Sequence, residues 1–282
     1  MKFRILWLTG LLMITSVLWA KSKQAPTIVE MKNVPENLVI EDTNPFFASF
    51  FSGQLEKTDF ETADEYKTRM ADYFSKTRYF NVGMYYTDFP YKYDLASETL
   101  IVWRGVYDSI ASLSERPWKP AGLHLGFGNL TRKNAFPIEL NRTCDVKKYT
   151  ATNLLGGQVE VSESTYHTFD LCLRNAKDWR EQNIFYTNGD CMGLVLLAKS
   201  PRDEAKAMVD RLQIVIGVKF YDKDRSFNGF AFATDDPTIH NPFQSIYYAH
   251  IIDSELQQVM LRDPLTNKIL VAYELQQPTK KE

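Results

Sequence analysis

The fold class follows most directly from residues 245–275, which read SIYYAHIIDSELQQVMLRDPLTNKILVAYEL. Three segments in this stretch, 245–252, 257–261 and 269–275, are rich in the branched aliphatic and aromatic residues that favour β-strands. Asn267, between the last two segments, suits a left-handed position in a tight turn. The pattern predicts a meander of strands joined by short turns.

Two further hairpins are predicted upstream from apolar segments separated by polar turn residues. The strand pairs are 91–93 with 99–103, turning at Asp94–Glu98, and 158–162 with 166–173, turning at Glu163-Ser164. The turns at Asp94 and Asp263 have similar sequences, in which an Asp is followed three residues later by a hydroxyl residue and then by an apolar triplet. Two similar hairpin turns explain this similarity without a gene duplication.

Two helices are well marked. Thr62 and Glu65 form a capping box, and the apolar side chains that follow lie on one face of a helix over about 63–76. Ser200-Pro201 begins the second helix, over about 201–212, with Ser as the cap and Pro in the first turn. The apolar patch 46–51 predicts the first helical turns of the folded body.

The overall class is therefore α+β, with a mainly antiparallel sheet. The strands do not alternate regularly with helices, which argues against a doubly wound parallel fold. We expect residues 21–42 to form a tether, residues 43–276 a single domain and residues 277–282 a polar tail.

The first twenty residues have the pattern of a secretory signal peptide. Lys2 and Arg4 precede an uncharged apolar run over 5–18, and Ala20 stands at the change to polar sequence. The run is short for a membrane span. Leu18 is less suitable than a small residue for cleavage after Ala20, so an uncleaved anchor is the alternative. We expect an exported protein, periplasmic or secreted, with no membrane span after cleavage.

The charge balance argues against nucleic acid and anionic lipid as partners. The whole chain has 33 Lys+Arg and 35 Asp+Glu, and removal of Lys2 and Arg4 leaves 31 against 35, a net charge of −4. General binding to phosphate-rich surfaces requires an excess of positive charge.

The three cysteines allow one disulfide in an oxidising compartment. Cys144 and Cys191 both lie in turn-like sequence, whereas Cys172 lies in a strand pattern. This favours a Cys144–Cys191 bridge among the three possible pairings. Cys172 as a nucleophile, five residues from His167, is an alternative that no family signature supports.

No recognised catalytic or nucleotide-binding motif occurs in the chain. P-loop, nucleophile-elbow and H-E-x-x-H patterns are all missing, and no cofactor or metal site is expected. The weak catalytic candidates are Asp235, Asp236 and His240, whose side chains could bind a cation or share a proton. Two prolines in the same segment favour a simple loop.

Phe60-Glu61-Thr62-Ala63-Asp64-Glu65-Tyr66-Lys67-Thr68-Arg69 resembles the F-E-T-x-x-E-Y-x-x-R segment of uncharacterised exported bacterial proteins. Asn153-Leu154-Leu155-Gly156-Gly157-Gln158-Val159-Glu160-Val161 is similar to a second segment of those proteins. The resemblance implies a bacterial envelope location and a similar architecture, and it implies no activity.

Two functions are compatible with these observations. The first is a non-enzymatic binding or assembly module for an envelope protein, a peptide or a glycan. The aromatic fraction of 13% would serve it as a stacking surface, although a β-rich core uses aromatic residues in the same way. The alternative is an exported hydrolase with its site at Asp235, Asp236 and His240.

Overall fold

A computed structural model describes residues 27–31, 38–82, 91–108, 136–152, 155–175, 178–179, 185–188, 191–221, 226–234 and 236–276. The expected signal peptide and polar tail lie outside these residues. The helices are α1 Thr43–Phe51, α2 Ala63–Ser75 and α3 Arg202–Met208, with 3₁₀ turns at Gly53–Leu55 and Val209–Arg211. The strands are β1 Thr27–Glu30, β2 Arg78–Asn81, β3 Tyr91–Asp94, β4 Thr99–Asp108, β5 Phe136–Thr152, β6 Gln158–Leu173, β7 Phe185–Asn188, β8 Cys191–Lys199, β9 Gln213–Phe220, β10 Phe227–Ala233, β11 Phe243–Asp263 and β12 Lys268–Gln276.

The predicted α+β class is confirmed, and most strand pairs are antiparallel. An eight-stranded sheet is built around β11. The first half of β11 pairs with β6 and β10, and its second half pairs with β9 and β12. The β6–β11 pair is parallel, so the sheet is mixed.

The second sheet has four strands in the order β3-β4-β8-β7. Its inward side chains, among them Leu100, Leu194 and Leu196, join one large core with residues of β9 and β11. Trp179 is fully buried in this core, and its indole donates a hydrogen bond to the Leu256 carbonyl at 3.2 Å.

Helix α2 begins as its sequence predicts. Thr62 Oγ1 accepts from the Glu65 amide, and Glu65 Oε2 accepts from the Thr62 amide at 2.8 Å. Helix α3 is shorter than predicted, because the chain tightens into a 3₁₀ turn after Met208. Ser200 does not cap it: Pro201 is the N-cap, and the Ser200 hydroxyl donates to the Pro201 carbonyl at 3.4 Å.

The tether expected over 21–42 is wrong in part, because two pieces of it belong to the fold. β1 pairs with β12, and Met31, Leu38 and Ile40 pack on a small core formed by Val215, Met260 and Ala272. Glu41 also forms an ion pair with Arg78 at 2.8 Å. Apolar side chains of the described residues between 27 and 42 therefore cover part of the large sheet. The mixed composition of the segment 21–42 did not indicate this packing.

Two predicted breaks in the strands are also wrong. β6 runs without a turn through Glu163-Ser164, and Ser164 has strand neighbours on both sides, Val146 and Ser245. β11 likewise joins the predicted strands 245–252 and 257–261 into a single strand with a bulge between Leu256 and Gln258. Pairing on both edges stabilises these polar positions as strand.

The two similar turns do have the same structure. In each, an Asp accepts a hydrogen bond from the amide two residues on, Asp94 from Ala96 at 3.1 Å and Asp263 from Leu265 at 3.0 Å. The last turn residue is left-handed in both, Glu98 with φ 48° and Asn267 with φ 58°. Among the described helices, none is long and apolar enough to cross a membrane.

Candidate functional site

The parallel pairing of β6 and β11 brings four rings together on one face of the large sheet. His167 stands opposite Tyr248 and Phe169 stands opposite His250. The ring centroids of the two pairs are 5.1 Å and 4.9 Å apart, with planes inclined by 12° and 14°. We call these four residues the histidine–aromatic cluster, and the sheet face that carries them the cluster face.

A hydrogen bond between the two histidines joins these stacked pairs. His167 Nδ1 lies 3.0 Å from His250 Nε2. The ring centroids are 5.3 Å apart and the planes are inclined by 16°. The N···N distance plus the distance from each ring centre to its nitrogen equals the separation of the two centroids. The imidazoles therefore meet edge to edge, which is the geometry of an in-plane N–H···N bond.

Asn228 fixes which ring nitrogen of each histidine carries the proton. Its Oδ1 lies 2.5 Å from His250 Nδ1, and a carbonyl oxygen can only accept. His250 therefore donates through Nδ1 and accepts at Nε2, and His167 must donate through its Nδ1. This leaves His167 Nε2 as a hydrogen-bond acceptor.

Burial, together with a smaller contribution from the nearby His167, lowers the pKa of His250 from 6.5 to about 4. The charged form is disfavoured because the ring is desolvated and because a second imidazolium would face it. His250 is therefore a neutral imidazole at neutral pH.

Helix α1 closes one end of the cluster. Phe47 packs edge-on against Phe169 with ring centroids 5.4 Å apart, and Phe51 lies 6.3 Å from His250. Asn141 on β5 also donates to Asn44 of α1 at 2.8 Å. The helix therefore holds the rings of Phe169 and His250 in place.

The other end of the cluster is open. Tyr248 and His167 are half-buried, and Phe230 beside them on β10 is 55% exposed. The Phe230 ring stands at 77° to the Tyr248 ring, with centroids 6.0 Å apart. Rings that stack across strands face each other, so Tyr248 and His167 present their polar ring edges to solvent. Phe230 adds an apolar surface beside them.

The two described residues of the catalytic site that the sequence suggested lie in a loop between strands. Asp236 and His240 are exposed in the segment between β10 and β11, and Asp235 lies outside the described residues. Thr238 and Asn241 exchange backbone hydrogen bonds of 3.0 and 3.2 Å, which identify this segment as a turn-containing loop. No group of three or more His, Cys, Asp or Glu side chains within the described ranges could hold a metal ion.

Cys172 lies in a strand, as predicted, and it is buried. Burial raises its pKa to about 12, so it is not poised as a nucleophile. It also lies on the opposite sheet face from His167, because residues five apart on an uninterrupted strand point in opposite directions. Cys144 is free and exposed, so the expected Cys144–Cys191 bridge is not formed.

Sequence reasoning missed the contact between His167 and His250. His167 is half-buried, and its ring is hydrogen-bonded to His250. Its partner is 83 residues away on a parallel strand, and no local pattern fixes the register of such a pair. The one signal in the sequence is the similar spacing of aromatic residues in Tyr166–Phe169 and Tyr247–His250.

No family model, no curated protein and no solved structure matches this chain. In the F-E-T-x-x-E-Y-x-x-R segment, the polar residues attach α2 to the turn before it. Arg69 pairs with Glu61 at 2.8 Å and donates to the Glu56 carbonyl at 2.9 Å. Tyr66 donates to the Leu55 carbonyl at 3.3 Å. Phe60 is the exception, because it is 99% exposed.

Proposed function

We propose that this protein is an exported, non-enzymatic binding module and that its ligand is an envelope glycan. The leader supports export. The observation that carries the binding proposal is the open end of the cluster, where the exposed Phe230 adjoins the hydrogen-bonding edges of Tyr248 and His167.

The chemistry of this surface suits a hydroxyl-rich, uncharged ligand. The His167 Nε2 atom accepts, the Tyr248 hydroxyl donates or accepts, and the Asn228 amide nitrogen donates. Sugar hydroxyls can do both, so they match all three groups. Phe230 supplies an aromatic surface for the apolar face of a sugar ring. The cluster is uncharged when both imidazoles are neutral, which favours a neutral glycan over a charged peptide.

The surroundings of the cluster support binding rather than catalysis. A histidine acting as a general base needs a nucleophile within hydrogen-bond reach. Cys172 lies on the other face of the sheet with a raised pKa, and Asp236 and His240 are exposed in a loop. Within the described part of the chain, we find no nucleophile activated by either imidazole.

The direct test is co-sedimentation of the mature chain with insoluble cell-wall glycan. Phe230→Ala should weaken binding about 5- to 10-fold and Tyr248→Phe about 3- to 5-fold, as expected for one aromatic contact and one hydrogen bond. Phe243→Ala is the matched control. Phe243 is 63% exposed on the same sheet, but it lies on the opposite face from Tyr248, five residues away on β11.

Equal losses for Phe230→Ala and Phe243→Ala would contradict the proposed site. The double variant Asp236→Ala/His240→Ala tests the alternative hydrolase site in the same material. We expect it to bind like the parent and to release no soluble glycan fragments beyond the parent's level. If the parent does release fragments and this variant does not, the protein is a hydrolase.

A further inference from the structure

We propose that His250 determines the specificity of His167, so that the proposed site accepts hydroxyl donors while both imidazoles are neutral and binds anions once the pair has taken up one proton. The inference rests on the proposed function for its ligand, but its physical basis is the proton arrangement of the two imidazoles. That arrangement can be tested without any ligand.

The chain of hydrogen bonds runs in one direction. Asn228 Oδ1 accepts from His250 Nδ1, and His250 Nε2 accepts from His167 Nδ1. A lone imidazole can exchange its proton between its two nitrogens, but here the position is fixed from the Asn228 end. Because His167 Nδ1 carries the proton, its Nε2 is unprotonated and accepts from a ligand.

The pair has room for one additional proton. If His250 Nε2 took it, two N–H groups would face each other across 3.0 Å. If His167 Nε2 takes it, every existing hydrogen bond is kept. The first proton therefore adds to His167, the partner with the free nitrogen. This changes the ligand-facing atom from an acceptor to a charged donor.

The charged groups around the pair do not oppose this step. Helix α1 and the described side chains of β10 contain no titratable residue. On the cluster face, β11 contributes Tyr248 and no formal charge between Phe243 and Ile252. β5 contributes Asp145, two pairing positions from His167, and Lys147, which is four positions away opposite Glu163 of β6. Two carboxylates and one ammonium group favour an added positive charge.

The consequence for binding is a change of ligand class. While the pair is neutral, a sugar hydroxyl donates to His167 Nε2. Once the pair has taken up a proton, that hydroxyl faces an N–H⁺ donor, while a carboxylate on a sugar can accept a charge-assisted bond. We expect affinity for a neutral glycan fragment to fall about 5- to 10-fold on this protonation, which is roughly the loss of one hydrogen bond. Affinity for a uronic-acid fragment should rise.

The deciding experiment is ¹⁵N NMR of the imidazoles in the full mature chain, which has four histidines to assign. While both imidazoles are neutral, we expect protons on Nδ1 of both His167 and His250. As the pH is lowered and the pair takes up its first proton, His167 should carry two protons and His250 one. A neutral His167 protonated on Nε2, or a His250 that is protonated first, would overturn the inference. The parent chain supplies this result, so no variant has to fold.

A variant gives an independent check. His250→Phe keeps an aromatic ring but removes the acceptor, so the Nδ1 proton of His167 should no longer be fixed and its Nε2–H form should become populated. His240→Gln, in the exposed loop, should leave His167 unchanged. If both imidazoles carry the expected protons but no glycan binds in either protonation state, the proposed ligand is wrong and the proton arrangement stands.

Discussion

Arg211 and Asp263 form a two-point ion pair, with Nε–Oδ1 and Nη2–Oδ2 distances of 2.8 Å each. The Asp263 side chain is 3% exposed and also accepts from the Leu265 amide and from the Thr266 hydroxyl at 2.9 Å. The pair therefore attaches the segment after α3 to the turn between β11 and β12. The hydrogen bond from Arg211, followed by those from Thr266 and Leu265, holds the pKa of Asp263 well below its usual range.

We expect Asp263→Asn to lower the free energy of unfolding at pH 7 by about 2 kcal/mol, which is less than for a fully buried pair because Arg211 is partly exposed. The folded pKa of Asp263 lies below the unfolded value of 3.8. This stabilisation is therefore complete above pH 3.8 and is lost as the pH falls further. Urea unfolding at pH 7 and pH 3 measures both effects.

Asp94→Asn is the matched control, because the turn at Asp94 has the same backbone hydrogen bond and, among the described contacts, no arginine partner. Asp94→Asn should lower the free energy of unfolding clearly less than Asp263→Asn does. Equal losses for the two variants, or a loss at Asp263 that does not change with pH, would contradict the role given to Arg211.

Gly217 leaves room for the ring of Tyr79. A Cβ atom at Gly217 would lie 2.8 Å from Tyr79 Cε1 and 3.1 Å from Thr77 Cγ2. The ring cannot move freely, because the Tyr79 hydroxyl bonds Gln258 Oε1 at 2.9 Å. Gly217→Ala should therefore destabilise the protein by about 1–3 kcal/mol in thermal unfolding.

Gly229→Ala is the control for this effect, since among the described residues its Cβ would meet only Phe227 Cζ, at 3.9 Å. Gly229→Ala should change the stability in thermal unfolding very little. If Gly217→Ala is equally neutral, the close approach between Tyr79 and Gly217 does not constrain the fold.

Glu98 has a left-handed backbone, with φ 48°, which strains a side chain of its type. Glu98→Gly should relieve that strain and raise the free energy of unfolding by about 0.5–1 kcal/mol, after the entropic cost of glycine in the unfolded chain. Asn267→Gly in the similar turn should gain less, because Asn tolerates this region. Chemical denaturation of both variants measures these two gains in the free energy of unfolding. A larger gain for Asn267→Gly than for Glu98→Gly would contradict the proposed strain at Glu98.

The thiols should differ strongly in reactivity. Cys144 is exposed and free, whereas Cys172 is buried with a pKa of about 12. A thiol-alkylating reagent at about pH 8 should label Cys144 in the folded protein and should reach Cys172 after unfolding, because the thiolate is the reactive form. Mass spectrometry of digested protein locates the labels. An unlabelled Cys144 recovered in a disulfide with Cys191 would restore the pairing that the sequence favoured.

Some local sequence signals predicted their elements correctly. The capping box at Thr62 and Glu65 fixed the start of α2, and the Asp-initiated turns gave both hairpins. These features depend on a few neighbouring residues. Pairing on both edges overruled the polar pair Glu163-Ser164, so its local polarity was a misleading sign of a turn.

The candidate site could not be predicted because it depends on long-range register. His167 and His250 meet only because β6 and β11 run parallel with His167 opposite Tyr248. A shift of one residue would move one of the histidines to the opposite face. In contrast, Asp236 and His240 are close together in sequence, and both are exposed in a loop.

The most direct test of the binding proposal is an NMR titration of the isotope-labelled mature chain with a soluble, neutral cell-wall glycan fragment. We predict saturable shifts at Tyr248, Phe230 and His167, and none at Phe243 or His240. Shifts centred on the opposite face or on the loop of His240, or no shifts at a saturating concentration of the fragment, would contradict the proposal that the histidine–aromatic cluster binds glycan.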